Sequence, residues 1–183
     1  MADIDWTEIN KKLPTKKGDK EQFQARKALF RRMDPNGNGI LSLAELDKAM
    51  RDVLAIDHLF DAKPAIMRAY QAARDKVPSK RGDVGDDYIE FREFRYFLVS
   101  LRQYFEYYVA FQRTDDNNDG RISFDEFQAN FEKIKVWVGD FDAESEFKKI
   151  DANGGGFILF DEFCKWAIKK NLDLEDDDDD VDC

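Results

Sequence analysis

The sequence has few of the residues that build disulfide frameworks or histidine-based sites. It contains two cysteines and one histidine in 183 residues. Cys164 and Cys183 provide no disulfide framework, and His58 has no cysteine or carboxylate partner at metal-ligand spacing. Nucleophile–histidine pairings, phosphate-binding loops and Cys/His clusters are also missing from the sequence. We therefore predict that the protein is not an enzyme.

Long apolar runs are missing as well. No segment approaches the roughly 20 apolar residues that a membrane-spanning helix needs, and the N-terminus does not resemble a signal peptide. Ala2 stands where myristoylation requires glycine, and Cys183 is not in a prenylation motif. These features predict a cytoplasmic protein whose contact with a membrane is at most electrostatic.

The negative charge is concentrated at one end of the chain. The net charge is −10, but the last thirteen residues hold eight acids and no base, so the other 170 residues carry only −2. We expect residues 171–183 to be a disordered acidic tail, because they have little apolar surface to bury. An alternative is that this tail screens the basic stretch Lys11–Arg32, which begins within the basic N-terminal segment 1–18. We expect no nucleic-acid partner.

One twelve-residue stretch, Asp115–Glu126, has the ligand spacing of a calcium-binding loop. Ca²⁺ takes six to eight oxygen ligands, and such loops supply them from positions 1, 3, 5, 7, 9 and 12 around an obligatory glycine at position 6. Gly120 is that glycine. The predicted ligands of this loop, loop 3, are Asp115, Asn117, Asp119, the main-chain carbonyl of Arg121, Ser123 through a water, and Glu126 through both carboxylate oxygens.

The same pattern recurs upstream and downstream of loop 3, which makes a chance match improbable. The upstream copy, loop 1, has Gly39 at the turn and an acceptable residue at every ligand position. Its predicted ligands are Asp34, Asn36, Asn38, the carbonyl of Ile40, Ser42 and Glu45.

The downstream copy, loop 4, is weaker. Gly155 at position 5 and Leu159 at position 9 offer no side-chain oxygen. The remaining predicted ligands are Asp151, Asn153, the carbonyl of Phe157, and Glu162. We therefore expect two calcium sites and a third, weak one.

A degenerate copy, loop 2, lies between loops 1 and 3. Aligning Ile89 with position 8 of the other loops places Gly82 at position 1, Val84 at 3, Asp86 at 5 and Glu93 at 12. Because positions 1 and 3 lack oxygen-bearing side chains, we predict that this loop binds no metal.

The flanks of the loops repeat too, which predicts an all-α, calmodulin-like EF-hand fold of four helix-loop-helix units paired in two lobes. The lobes are predicted as residues 19–100, holding hands 1 and 2, and residues 101–170, holding hands 3 and 4. An apolar residue occupies position 8 of each loop, where paired loops join by a short antiparallel bridge. These residues are Leu41, Ile89, Ile122 and Ile158.

The stretch GDVGDDYIEFREFRYFLVSL around loop 2 and the sequence FDEFCKWA after loop 4 add a more specific likeness. Over roughly residues 21–170 the chain resembles the calflagins, the flagellar calcium-binding proteins of trypanosomes. The resemblance implies a calcium sensor in a flagellum or cilium that reaches the membrane through an acylated glycine and cysteine. This chain has Ala2 and Asp3 at those positions, so an axonemal protein is an alternative attachment.

Three functions are compatible with these patterns. A sensor would open on calcium and bind the amphipathic helix of a partner; a structural axonemal subunit would use calcium only for stability; a buffer would need no partner. Only four methionines are present, which favours a narrow range of partners. Ligand charge predicts tightest binding in loop 3, then loop 1, then loop 4. The oligomeric state does not follow from the sequence.

Overall fold

The computed structural model describes residues 4–74, 76, 87–139 and 142–170. The four short strands are β1 (Ile40–Leu41), β2 (Ile89–Glu90), β3 (Arg121–Ser123) and β4 (Phe157–Leu159). The helices are α1 (Trp6–Lys12), α2 (Lys20–Met33), α3 (Leu43–Ala49), α4 (Asp57–Asp61), α5 (Lys63–Arg74), α6 (Phe91–Thr114), α7 (Phe124–Ala129), α8 (Phe131–Val138), α9 (Ala143–Ile150) and α10 (Phe160–Lys169), with a π-helix over Met50–Leu54.

The described residues confirm the predicted helical EF-hand architecture. They divide into two compact units, one ending at Phe105 and the other beginning at Glu106. The first unit contains hands 1 and 2, and the second contains hands 3 and 4. The predicted lobe limits stay a prediction, as does the acidic tail 171–183, which lies outside the described residues. No helix in the described part of the chain is long and apolar enough to span a membrane.

Within each unit, two loops are joined by a short antiparallel bridge. In the first unit β1 pairs with β2, which places Leu41 opposite Ile89. In the second unit β3 pairs with β4, which places Ile122 opposite Ile158. All four side chains are fully buried. The predicted bridge at position 8 is therefore confirmed in both units.

Aromatic rings pack the helices of each unit around these bridges. Each ring concerned either lies four residues before a loop or directly follows a closing glutamate. Ring centroids lie 5.2 Å apart between Phe30 and Phe94 in the first unit. In the second unit they lie 5.7 Å apart for Phe111–Phe163 and for Phe127–Phe147. Because each pair joins two different hands, neither hand of a unit buries its apolar face alone.

The N-terminal segment is part of the first unit. Asp5 caps α1 by accepting a hydrogen bond from the Glu8 main-chain N–H (3.0 Å). The Trp6 ring lies 5.6 Å from that of Phe105. In addition, Arg102 Nε donates to Asn10 Oδ1 (2.7 Å). The described part of the basic N-terminal segment, residues 4–18, thus packs on the first unit.

The second helix of hand 1 ends in a π-helix, which the sequence did not predict. The sequence predicts one helix through Val53 to near Asp57, but after Ala49 the chain forms the π-helix, and Ala55 closes it in a left-handed conformation (φ 50°). Lys12 Nζ donates to the Ala55 carbonyl and Arg32 to the Val53 carbonyl, both at 3.1 Å. Cationic donors at a helix C-terminus stabilise its exposed carbonyls.

We predict that Leu13→Ala destabilises the first unit by about 3 kcal/mol, because the Leu13 side chain is only 1% exposed and its removal leaves a cavity. Urea unfolding followed by NMR, using the amide signals of Leu41 and Ile89, measures this loss. Lys11→Ala, at an exposed position of α1, is the control and should change stability by no more than about 0.5 kcal/mol. Equal small effects of both substitutions would show that α1 is not docked.

Candidate calcium-binding loops

In loop 3, the first ligand position is already oriented by the loop's own main chain. Asp115 is 1% exposed. Its Oδ1 accepts a hydrogen bond from the Asp119 N–H (3.1 Å), and its Oδ2 accepts one from the Gly120 N–H (2.9 Å). Gly120 has φ of 82°, in the left-handed region that glycine adopts without strain. The tight turn therefore wraps the loop around the carboxylate.

The closing glutamate of loop 3 reaches both ends of the loop. Glu126 Oε2 accepts hydrogen bonds from the N–H (2.8 Å) and hydroxyl (2.6 Å) of Ser123. Its Oε1 accepts from the N–H groups of Asp116 (3.1 Å) and Asn117 (3.3 Å). Burial raises the pKa of Glu126, but these hydrogen bonds outweigh it and lower the pKa. The carboxylate is thus ionised at neutral pH.

Loop 1 repeats this arrangement. Asp34 accepts hydrogen bonds from the N–H groups of Asn38 (3.2 Å) and Gly39 (2.9 Å). Glu45 Oε2 accepts from the N–H (2.9 Å) and hydroxyl (2.8 Å) of Ser42. The two complete loops therefore hold the first carboxylate and Oε2 of the last carboxylate in the same way, whereas Glu45 Oε1 accepts from Asn36 Nδ2 (2.7 Å) in place of main-chain N–H groups.

Loop 4 has the same main-chain hydrogen bonds to its first carboxylate as loops 1 and 3, but fewer of its side chains have an oxygen that could bind an ion. Asp151 accepts from the N–H groups of Gly155 (3.0 Å) and Gly156 (2.9 Å). A Cβ added at Gly155 would lie 2.6 Å from Asn153 Oδ1, so a side chain at position 5 would require Asn153 to shift. Leu159 is 44% exposed and supplies no oxygen. Positions 5 and 9 of loop 4 thus offer no side-chain oxygen in the structure either, as the sequence indicates.

Loop 2 is described only in its second half. Glu93 is 4% exposed, and its Oε2 accepts a hydrogen bond from the Glu90 N–H (2.8 Å). The closing position thus keeps its helix-capping role. The positions assigned to Gly82, Val84 and Asp86 lie outside the described residues, so the absence of metal binding there stays a prediction.

The oxygen donors of loops 1, 3 and 4 suit Ca²⁺. Each loop has carboxylate, amide and main-chain oxygens at its ligand positions, which is the hard-oxygen set that Ca²⁺ prefers. In the described part of the chain, no three His, Cys, Asp or Glu side chains lie together as a group that could hold a metal ion. The structure therefore does not gather Asp115, Asp119 and Glu126 of loop 3 into one group, and the assignment of individual ligands stays a prediction.

Sequence reasoning missed a buried carboxylate outside the loops. Glu146 on α9 is 2% exposed. It accepts hydrogen bonds from Trp166 Nε1 (2.8 Å) and Lys149 Nζ (3.0 Å), and Lys170 Nζ lies 3.0 Å from its Oε1. Burial raises the pKa of Glu146, but these partners lower it more, to about 2. The only signal in the sequence is the helical spacing of Glu146 with Lys149 and of Trp166 with Lys170.

Comparison with known families agrees with this geometry. The FCaBP EF-hand domain matches residues 9–101, and the EF-hand domain pair matches residues 108–168. The protein is therefore a calcium-binding protein of the EF-hand class.

Two curated relatives make the assignment more specific. The chain is 34% identical to flagellar calcium-binding protein TB-17 of Trypanosoma brucei brucei, over 97% of its own length and 76% of that protein. It is 30% identical to the flagellar calcium-binding protein of Trypanosoma cruzi, over 96% of its own length and 84% of that protein. The chain belongs to the flagellar calcium-binding protein, or calflagin, family, as its motifs predicted.

One solved structure extends the comparison. A homolog of programmed cell death 6 protein from Leishmania major aligns with 92% of this chain and 82% of its own, at 19% identity and a TM-score of 0.39.

We predict that Glu126→Gln removes the tightest calcium-binding step. The substitution takes away one of the three predicted ligand carboxylates of loop 3, and each ligand carboxylate adds attraction to the dication. Isothermal calorimetry in a magnesium background measures the change, with Glu45→Gln as the matched variant in loop 1. The expected ranking is wrong if the tightest step survives in Glu126→Gln and disappears in Glu45→Gln.

We predict that Glu146 stabilises the second unit in a pH-dependent way. Its folded pKa of about 2 lies below the ordinary value of 4.5, so its stabilisation is complete above about pH 4.5 and is lost as the pH falls toward 2. The expected loss from Glu146→Gln is on the order of 3 kcal/mol at pH 7 and shrinks with acidification. Urea unfolding in chelator across this pH range measures it, and a pH-independent difference would contradict the prediction.

Proposed function

We propose that this EF-hand protein is a calcium sensor that exposes an apolar surface and binds a protein partner in a cilium or flagellum. Hands 1 and 2 form one lobe, residues 19–100, and hands 3 and 4 the other, residues 101–170. Loops 1 and 3 are the main calcium sites, with the ligands assigned above, and loop 4 is a weaker site.

The observation that carries this proposal is the position of the closing glutamates. Glu45 and Glu126 are the third residues of α3 and α7, and each caps its own helix through a reciprocal bond with Ser42 or Ser123. A cation that draws in both carboxylate oxygens therefore pulls on the first turn of the helix. In sensor EF-hands, this coupling changes the angle between the two helices and exposes apolar surface.

The carboxylate count supports the proposed order of the sites. Asp115, Asp119 and Glu126 give loop 3 three ligand carboxylates, against two in each of loops 1 and 4. Arg121 Nε lies 3.1 Å from Asp119 Oδ2, but both side chains are substantially exposed, so this pair offsets little of the attraction. Loop 3 is therefore still expected to bind calcium more tightly than loops 1 and 4.

The partner is proposed to be an amphipathic helix or an axonemal protein. Three apolar side chains of the second unit are already exposed: Phe157 (37%), Leu159 (44%) and Ile168 (45%). The names of the relatives place those proteins in the flagellum, which supports the same setting here. No nucleic-acid partner is proposed.

A structural subunit with stabilising calcium sites is the second candidate, and a calcium buffer is the third. Loop 4 has lost the side-chain donors of positions 5 and 9, which favours a role in which this loop is seldom filled. Either candidate would bind calcium with little movement of the helices.

We expect calcium, titrated in a millimolar magnesium background, to raise the fluorescence of a dye that binds apolar surface, with saturation at roughly micromolar calcium. Chelator should reverse the rise, and the double variant Glu45→Gln/Glu126→Gln should abolish it. A flat signal beside calorimetric calcium binding would exclude the sensor. Scaffold and buffer would then remain, and flagellar extracts would distinguish them, since only the scaffold needs a partner.

A further inference from the structure

The two helices of hand 4 are joined at a point away from their calcium loop. Glu146 lies on α9, five residues before the loop begins. Trp166 and Lys170 lie four and eight residues after Glu162, where the loop ends. Glu146 Oε1 accepts a hydrogen bond from Trp166 Nε1 (2.8 Å), and Lys170 Nζ lies 3.0 Å from the same oxygen. We call this contact the Glu146 clasp.

Glu146 and Trp166 are buried, whereas Lys170 is exposed, so the buried part of the clasp is the bond between the Glu146 carboxylate and the Trp166 indole. The Glu146 side chain is 3% exposed, and Lys149 adds a further ion pair from its own helix at 3.0 Å. A buried carboxylate that loses its donors keeps the full penalty of desolvation. Separating α9 from α10 therefore requires either rehydrating Glu146 or supplying it with new donors.

Opening of an EF-hand would break the clasp. Opening changes the angle between the two helices by about 40°. Lys170 lies eight residues beyond Glu162, which is about 12 Å along a helix. A 40° rotation about Glu162 would move it by about 8 Å, and would move Trp166 by about half as much. Hydrogen bonds tolerate a few tenths of an ångström, so neither interhelical contact survives.

We propose that Glu146 is a positioning residue that holds hand 4 closed and thereby sets the calcium concentration at which this hand opens. This inference rests on the proposed sensor function, because it takes the described arrangement of α9 and α10 as the closed one and assumes that calcium and opening are coupled. Stabilising the closed state lowers the apparent affinity for a ligand that binds the open state better. Loop 4 also lacks side-chain oxygens at positions 5 and 9. Together with the clasp, this makes hand 4 the last hand to bind calcium.

The test compares three full-length variants by calcium calorimetry and by the apolar-surface dye. Glu146→Gln keeps the size of the side chain and removes its charge. Trp166→Phe removes the indole donor and part of the ring volume but keeps an aromatic side chain. Glu144→Gln is the matched control. It removes an exposed carboxylate from the same helix, and that carboxylate also has a lysine partner, Lys148, at 2.6 Å.

The clasp predicts tighter calcium binding in the variants that weaken it. In Glu146→Gln the weakest binding step and the accompanying dye signal should move to about tenfold lower calcium. Trp166→Phe should shift both in the same direction by a smaller factor, and Glu144→Gln should leave both unchanged.

A purely structural role for Glu146 predicts the opposite sign. If Glu146→Gln only destabilised the folded unit, part of the calcium-binding free energy would be used in refolding, and the weakest step would move to higher calcium. An unchanged or weakened step therefore overturns the proposal.

The failure of the sensor function can be told apart from the failure of the clasp. If the unsubstituted protein gives no dye response but Glu146→Gln does, the clasp holds hand 4 closed and the natural protein is not a sensor through this hand. If neither responds and their affinities agree, the clasp is overturned. A response in both at the same calcium concentration overturns it as well.

Discussion

In loops 1 and 3 the twelfth residue is a glutamate that belongs to the loop and, as its third residue, to the helix that follows. Its carboxylate accepts hydrogen bonds from position 9 and so caps that helix. In loop 3 the same carboxylate also reaches the N–H groups at the beginning of the loop. One side chain thus links the ion site to the orientation of a helix, and the proposed signalling depends on that link.

Loop 4 keeps the hydrogen-bonded frame of a calcium loop although positions 5 and 9 offer no side-chain oxygen. Glu162 still accepts a hydrogen bond from the Leu159 N–H (3.0 Å), although Leu159 has no hydroxyl with which to cap the helix in return. The bridge between Ile122 and Ile158 is retained. Hand 4 therefore supports hand 3 through packing and main-chain pairing, neither of which requires a bound ion.

The two units are stabilised by different contacts outside the loops. In the first, α1 adds Trp6 and the buried Leu13, while Lys12 caps the carbonyl of Ala55 at the end of the π-helix. In the second, the Glu146 clasp ties the helices of hand 4. The π-helix ends the second helix of hand 1. Such π-helical turns are often found at functional sites.

The sequence by itself determined the loops and the pairing of the hands. Asp115, Gly120 and Glu126 are recognisable because their hydrogen bonds span at most ten residues and because the turn needs a left-handed residue. The apolar residue at position 8 identified the bridges for the same local reason. Only the tertiary structure decided the docking of α1, the π-helix and the clasp. Arg102 meets Asn10 across 92 residues of sequence, and Trp166 meets Glu146 across 20. Contacts at such separations depend on how the helices pack, and no local spacing encodes that.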